Sequence, residues 1–363
     1  MKKTPLYEAH LVSKAKMVDF AGWQLPILYS SIIEEHRATR SAAGIFDISH
    51  MGEIIVQGRQ AEKFLRYLVP TSLDRLEDGK GMYTCLCNEY GGIIDDLFIF
   101  RKTEEEFYLV VNAATLEKDL TWLRDNEIAE VEIKDVSSQT AKIDLQGPQS
   151  LEIAKLIFPD DNLGKLKRFY FKEIDYQGAS VMIACSGYTG ELGYEFFLPS
   201  EKAMNLWNDL LQAGQPLGLR PVGLGARDSL RLEACLSLYG HELSDEFSPI
   251  EAGLGWFVNS KDPYIAHQIL KQQQQDGTQV ELVPLKLLEK GIPRENYQVQ
   301  RAGVTLGTIT SGSFSPTYNC GIALAYLTSK AVQIGDQVEI LIRNKPVLAE
   351  VVKRPFYKYQ GAV

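Results

Sequence analysis

Between residues 51 and 134, short apolar runs of strand length alternate with two stretches of helical periodicity, in an order that few folds accommodate. Ile54-Ile55-Val56 leads into a helix expected over Gln60 to Val69, whose Phe64, Leu65 and Leu68 form one apolar stripe. Three strands follow, Met82 to Cys87, Ile93 to Phe100 and Phe107 to Val111, then a helix from Leu116 to Arg124 and a strand near Val131 to Ile133. The order βαβββαβ predicts an α+β layer of antiparallel sheet with helices on one face. A similar rhythm returns after Lys142-Ile143-Asp144-Leu145. It comprises helix Gln149 to Ile157, strands near Phe169 to Tyr176, Ala179 to Ala184 and Tyr194 to Leu198, and helix Glu201 to Ala213. We read this as an internal duplication, although no residue-level repeat is evident. Helices Leu224 to Leu238 and Pro263 to Gln275 come next, and the polar Gln272 to Gln279 stretch reads as a linker. From Leu282 onward, short strands between glycine, proline and asparagine turns suggest a small β-barrel or sandwich.

At 363 residues the chain exceeds one ordinary core and suggests two or three domains. A net charge of −9 argues against non-specific nucleic-acid binding, and no apolar run approaches a membrane span. The charged N-terminus continues into polar sequence, so no secretory signal is expected. Five scattered cysteines sit mostly in apolar runs, with Cys85 and Cys87 on one strand face. Buried free thiols are a better reading than a metal site, and they imply a reducing, cytoplasmic compartment.

Three segments depart from ordinary core texture. Ser186-Gly187-Tyr188-Thr189-Gly190-Glu191-Leu192-Gly193-Tyr194-Glu195 lies between two buried-strand runs and reads as a hairpin with an elaborate tip. Its glycines allow sharp turns and close approach to a ligand. Glu195, flanked by Tyr194, Phe196 and Phe197, needs a partner, which a flat ligand with N–H donors would supply. In Gly91-Gly92-Ile93-Ile94-Asp95-Asp96, two adjacent carboxylates interrupt a buried strand and alternate to opposite faces. They either cap and pair locally after the Gly-Gly turn or belong to a functional site. Arg227 falls in the first turn of a helix, where the dipole disfavours a cation, with Arg231 one turn on. The pair calls for acidic partners or a ligand. Dinucleotide, Walker, HExxH and GxSxG patterns are absent, and the five histidines stand alone, so no metal site is expected.

Together these segments resemble the aminomethyltransferase family of the glycine cleavage system, the T-proteins, over essentially the full length. The matching runs begin with Phe20-Ala21-Gly22-Trp23-Gln24-Leu25-Pro26, Gly44-Ile45-Phe46-Asp47-Ile48-Ser49-His50-Met51-Gly52 and Gly91 to Asp96. They continue with Asn112-Ala113, Leu145-Gln146-Gly147-Pro148-Gln149, the 186–195 hairpin, Gly225 to Arg231 and Thr310 to Pro316. The resemblance implies a three-domain cloverleaf around a central folate cavity. Two α+β domains with antiparallel sheets, one discontinuous (1–50 and 140–275) and one inserted in it (51–139), would be joined by a C-terminal β-barrel domain (280–363). It implies transfer of a one-carbon unit to tetrahydrofolate, as co-substrate, from the aminomethyl-dihydrolipoyl arm of the lipoylated H-protein. Neither metal nor pyridoxal phosphate is expected.

By the same resemblance, Asp96 is the catalytic carboxylate. Met51, Tyr83, Asn112, Tyr188, Glu195 and Arg227 would contact folate, as would Tyr357, preferred over Tyr359. Arg294, in Glu289-Lys290-Gly291-Ile292-Pro293-Arg294, would dock the carrier unless it is a solvated loop arginine. Two relatives of the same fold stand as alternatives. A folate-binding iron–sulfur maintenance protein would carry a Lys-Gly-Cys-Tyr run, for which Cys185-Ser186-Gly187-Tyr188 does not substitute. The folate half of flavin-dependent sarcosine dehydrogenases would follow a flavin domain, which is not expected ahead of residue 1. The remaining alternative is a non-catalytic folate-binding module.

Overall fold

In the computed structural model, which describes residues 1–159 and 161–359, the strands expected between 51 and 134 form one antiparallel sheet. Its order is Lys80–Cys87, Ile93–Thr103, Glu106–Val111, Gly52–Gln57, Glu132–Asp135. Helices Ala61–Leu68 and Leu116–Asp125 cover one face, burying Phe64, Leu65, Leu68, Leu120 and Leu123 against Ile54, Leu97, Ile99 and Leu109. The amphipathic stripes read from the sequence are the surfaces that meet here.

A second sheet runs Phe171–Tyr176, Ala179–Ala184, Gly193–Pro199, Thr140–Gln146, Ala43–Asp47, Leu219–Pro221. Only its last pairing is parallel. Helices Ser150–Ile157 and Ala203–Gly214 back it, with Trp207 buried among Ile143, Phe196 and Leu198. Strands Ala43–Asp47 and Thr140–Gln146 flank the first sheet in sequence yet pair with each other. The faces without helices pack together through Phe100, Tyr108 and Val110 on one sheet and Phe171, Met182 and Phe197 on the other. Strands of these two sheets carry the candidate residues Tyr83, Asp96 and Glu195.

The C-terminal strands Val280–Leu287, Gln298–Arg301, Val304–Ser315, Cys320–Thr328, Gln337–Ile342 and Lys345–Val351 close into a barrel. The fold is thus the expected α+β arrangement of two sheet-and-helix layers with a barrel.

Two helices differ from expectation. The helix starting at Leu224 ends at Glu233 instead of continuing to Leu238. Cys235 takes a left-handed φ of 53°, and the Cys235 and Leu236 N–H groups donate to the carbonyls of Leu232 and Arg231, a Schellman ending built without glycine. The helix expected from Pro263 begins at His267, after left-handed Ala266, and runs to Asp276. The glutamines read as a linker are therefore helical, and only Gly277, Thr278 and Gln279 separate this helix from the barrel.

Candidate functional site

Register fixes the two adjacent aspartates. Leu86 pairs with Asp95 and Cys85 with Asp96, so Asp95 shares the helix-covered face with Leu97 and Ile99, while Asp96 faces the second sheet's side with Tyr83. Cys85 and Cys87 share one face as expected, their sulfurs 3.5 Å apart as free thiols. Asn112, immediately after strand Glu106–Val111, joins the aspartates. Its backbone N–H donates to Asp95 Oδ2 (3.0 Å), and its Nδ2 donates to Asp95 Oδ1 and Asp96 Oδ1, both at 2.9 Å. The Tyr83 hydroxyl donates to Asp96 Oδ2 at 2.8 Å. Burial and the Asp95 charge raise the Asp96 carboxyl, the Tyr83 and Asn112 hydrogen bonds oppose them, and the balance lies at about 7.

Asp144 and Glu195 are direct cross-strand partners in the second sheet, so their side chains emerge together. Glu195 accepts from the Ser186 hydroxyl and from Lys142 Nζ, the latter at 2.8 Å. Burial would raise its carboxyl, but Lys142 above all, with Ser186 and Arg227, brings it below the usual range. Asp144 pairs with Arg227 Nη1 at 3.3 Å. Burial and Glu195 nonetheless push its carboxyl up to about 7, against Arg227 and Lys142. The Arg227 guanidinium lies 4.8 Å from the centre of the Tyr188 ring, whose hydroxyl donates to the Ser237 carbonyl at 2.6 Å. Lys142 Nζ reaches Met51 Sδ at 3.7 Å. His50 is held neutral, its imidazole lowered to about 3 by burial and by Arg227.

These contacts bring Met51, Tyr188, Glu195 and Arg227 into one polar chain, and Tyr83, Asp96 and Asn112 into another. The chains approach at Asp96 and Tyr188, where burial and then the Asp96 charge push the Tyr188 hydroxyl up. Met51, Tyr83, Asp96, Asn112, Tyr188 and Arg227 all keep partial exposure at the heart of the fold. The arrangement offers adjacent carboxyl acceptors, aromatic rings and a near-neutral carboxylate, a set suited to a flat ligand carrying N–H donors.

Tyr357 lies apart from both chains. Its ring sits 3.8 Å from the Arg40 guanidinium, and it lines a cleft of about 220 Å³ with Arg168, Ser186, Gly187 and Tyr359. Ser186, which donates to Glu195, links this cleft to the carboxylates. Arg294 is separate again, exposed on the barrel with Nη1 donating to the Gly312 carbonyl at 3.2 Å.

The hairpin glycines serve packing more than ligand approach. A Cβ on Gly193 or Gly187 would stand 1.9 or 2.1 Å from Gln146 Nε2. That amide instead fills the space, donating to Asp144 Oδ1 (2.5 Å) and the Ser186 carbonyl (2.9 Å) while accepting from the Thr189 hydroxyl. Arg231 also finds its acids within the chain, pairing with Glu242 (2.8 Å) and Asp228 (2.9 Å).

Lys142, Asp144 and Gln146 were not among the residues singled out from the sequence. The signal was present, because charges at alternate positions of Ala141-Lys142-Ile143-Asp144-Leu145 break a buried strand as Asp95-Asp96 do. Among the described residues, no three His, Cys, Asp or Glu side chains gather as metal ligands, and no helix is long and apolar enough to cross a membrane.

Comparison with known proteins agrees with this architecture. The family model described as the GCVT N-terminal domain matches residues 6–262, and that of the glycine cleavage T-protein C-terminal barrel domain matches residues 281–358. An aminomethyltransferase of Caldanaerobacter subterraneus subsp. tengcongensis is 46% identical over 99% of this chain and 96% of its own length. One from Thermoanaerobacter sp. is 44% identical over 99% and 98%. The crystal structure of glycine cleavage system aminomethyltransferase T from Bartonella henselae superposes with a TM-score of 0.92, at 34% identity over 98% of both chains. The chain belongs to the glycine cleavage T-protein family of aminomethyltransferases.

Proposed function

We propose that the chain transfers the methylene carbon of an aminomethyl group, carried on the dihydrolipoyl arm of the H-protein, to tetrahydrofolate. The products are 5,10-methylenetetrahydrofolate, ammonia and dihydrolipoyl H-protein. The observation that carries this reading is the Asp96 carboxyl, raised to about 7 by burial and the Asp95 charge and bound by Tyr83 and Asn112. Asp96 positions the folate nitrogens and stabilises the positive charge that develops as N5 attacks the methylene and ammonia leaves.

Glu195 takes the donor edge of the pterin, between the rings of Tyr83 and Tyr188. Asn112 and Arg227 complete the polar shell, Met51 the apolar one, and Tyr357 contacts the folate at the cleft mouth. Arg294 docks the carrier, its exposed guanidinium suiting an acidic surface. The reaction takes place in the cytoplasm and calls for neither metal nor pyridoxal phosphate. Sheet membership supports a division into a discontinuous domain (1–50 and 140–275), an inserted domain (51–139) and a barrel domain (280–363).

The test is methylenetetrahydrofolate formation from tetrahydrofolate and aminomethyl-loaded H-protein, with wild-type protein and Asp96→Asn. Turnover that depends on the carrier, falls on the order of 100-fold or more in Asp96→Asn, and leaves folate affinity within a few-fold is expected. Folate binding without turnover, using a carrier competent with another T-protein, would make the chain a binding module.

A further inference from the structure

Behind Asp96 lies a second acid that the proposed reaction does not yet use. Asp119, on helix Leu116–Asp125, is fully buried, as is Asp95 beside it. Neither Asp119 oxygen receives a hydrogen bond from any donor among the described residues. Its carboxyl lies within hydrogen-bonding reach of Asp95.

The cations and hydroxyls nearby are committed elsewhere. Thr115 Oγ1 stands close enough to both carboxyls to lower them somewhat, but its hydroxyl donates to the Asn112 carbonyl at 3.1 Å. Lys118 Nζ bonds the Tyr239 hydroxyl (2.6 Å) and Asp245 (3.1 Å), and the Tyr239 hydroxyl itself turns to the Ile93 carbonyl. Two ionised carboxylates pressed together in a dry interior without a cation are not sustainable, so the pair holds one proton. Burial raises the Asp95 carboxyl as well, but it accepts two N–H donors from Asn112, which favour its charged form over that of Asp119, which accepts none. The proton therefore belongs on Asp119, which burial and the Asp95 charge push up to about 10.

We propose that Asp119 is a positioning residue of the transferase reaction: as a neutral acid it donates to Asp95, which holds the Asn112 amide that in turn fixes the Asp96 carboxylate. This rests on the reading of Asp96 as the catalytic carboxylate. Asn112 Nδ2 has two protons, and its 2.9 Å contacts to Asp95 and Asp96 use both. Were Asp95 to take up the proton or rotate, the amide would lose the anchor that sets its direction. The pair also keeps a single negative charge behind Asp96. The other groups facing Asp96 are the Tyr83 hydroxyl and Cys85 thiol of strand Lys80–Cys87 and Tyr188 of the hairpin, none of them a cation. Behind the pair, Lys118 Nζ is bonded to Tyr239 and Asp245 rather than to either carboxyl, and only partly offsets the Asp95 charge on Asp119.

Two measurements test this. An infrared difference spectrum of wild-type protein minus Asp119→Asn, near neutral pH, reads the proton directly. A carbonyl stretch of a protonated carboxylic acid, unchanged from mildly acidic to mildly alkaline pH, is expected, and its absence overturns the proposal whatever Asp96 does. Kinetics then read the role. Asp119→Leu keeps the branched outline in a bulkier side chain and suits the apolar surroundings but cannot donate, and should lower kcat at least about tenfold. Asp119→Asn, whose amide can donate to Asp95, should recover most of that loss. A merely space-filling role would lower the urea midpoint of both variants while leaving kcat and its pH dependence unmoved, and that result would sink the proposal. If Asp96→Asn itself leaves turnover intact while the infrared band is present, the reading of Asp96 fails and the protonation of Asp119 stands.

Discussion

Burial raises the Asp96 carboxyl and the charge on Asp95 pushes the same way; the Tyr83 hydroxyl and Asn112 amide restrain both, leaving it at about 7. If the carboxylate is the working form, kcat falls as pH drops below about 7, along a limb that follows one proton. Tyr83→Phe removes a donor to that carboxylate and should move the limb upward by about one pH unit. Profiles of kcat against pH at saturating folate check this, and a downward shift would contradict the role given to Tyr83. Glu195 poses a different problem, because Lys142 is bound to it at only 4% side-chain exposure. Glu195→Ala strands that ammonium and should cost about 3–5 kcal/mol of stability as well as folate affinity. Adding Lys142→Met should restore most of the stability but none of the affinity. Urea unfolding beside folate titration separates the two, and recovered affinity would remove Glu195 from the pterin site.

Among the elements, the strand bearing Asp95 and Asp96 begins under a loop that leaves no room for a side chain. A Cβ on Gly92 would stand 1.8 Å from the Asp245 carbonyl oxygen, and Ile93 N–H is shared between the Ser244 and Phe247 carbonyls. Gly92→Ala must push loop or strand aside, costing about 1–3 kcal/mol, and should lower kcat because the shift begins three residues from Asp95. A lowered urea midpoint with unchanged kcat would show that the strand absorbs the displacement before the aspartates. The sheet-and-helix layers and the barrel were legible because their periodicity is local: Phe64, Leu65 and Leu68 share a stripe whatever lies opposite. Asp95-Asp96 and the hairpin were legible as violations of that periodicity, and Lys142 and Asp144 carried the same signal one strand away. The end of helix Leu224–Glu233 was not legible, since its left-handed residue is a cysteine where glycine or asparagine would announce it. Nor could the sequence place Tyr357 over Arg40 or spend the hairpin glycines on Gln146, because those contacts join segments remote along the chain.

Across the whole molecule, helix Leu224–Glu233 ties the second sheet to the barrel through buried charge. Arg231, 1% exposed, reaches Glu242, Asp228 and the hydroxyl of Ser311 on a barrel strand. Two residues on, Glu233 takes Arg40 and His36 on one side and the barrel residues Ser315 and Thr317 on the other. Removing one member of such a set leaves its partner charged and dry, which costs more than the set contributes over an apolar equivalent. Arg231→Leu should therefore destabilise the chain by about 3–5 kcal/mol, and adding Glu242→Gln should return part of that by neutralising the stranded carboxylate. The clasp also has a direction in pH. Burial would raise Glu242, but Arg231 outweighs it with help from Ser311 and Thr310, and the folded carboxyl lies below its ordinary 4.5. The folded state thus binds fewer protons there than the unfolded chain. The stabilisation is complete above about pH 4.5 and is lost as pH falls through the folded value. Urea midpoints of wild type and Glu242→Gln should differ most at neutral pH and converge on acidification below 4.5. A gap that widens there would mean that Arg231 is held by something other than the Glu242 charge.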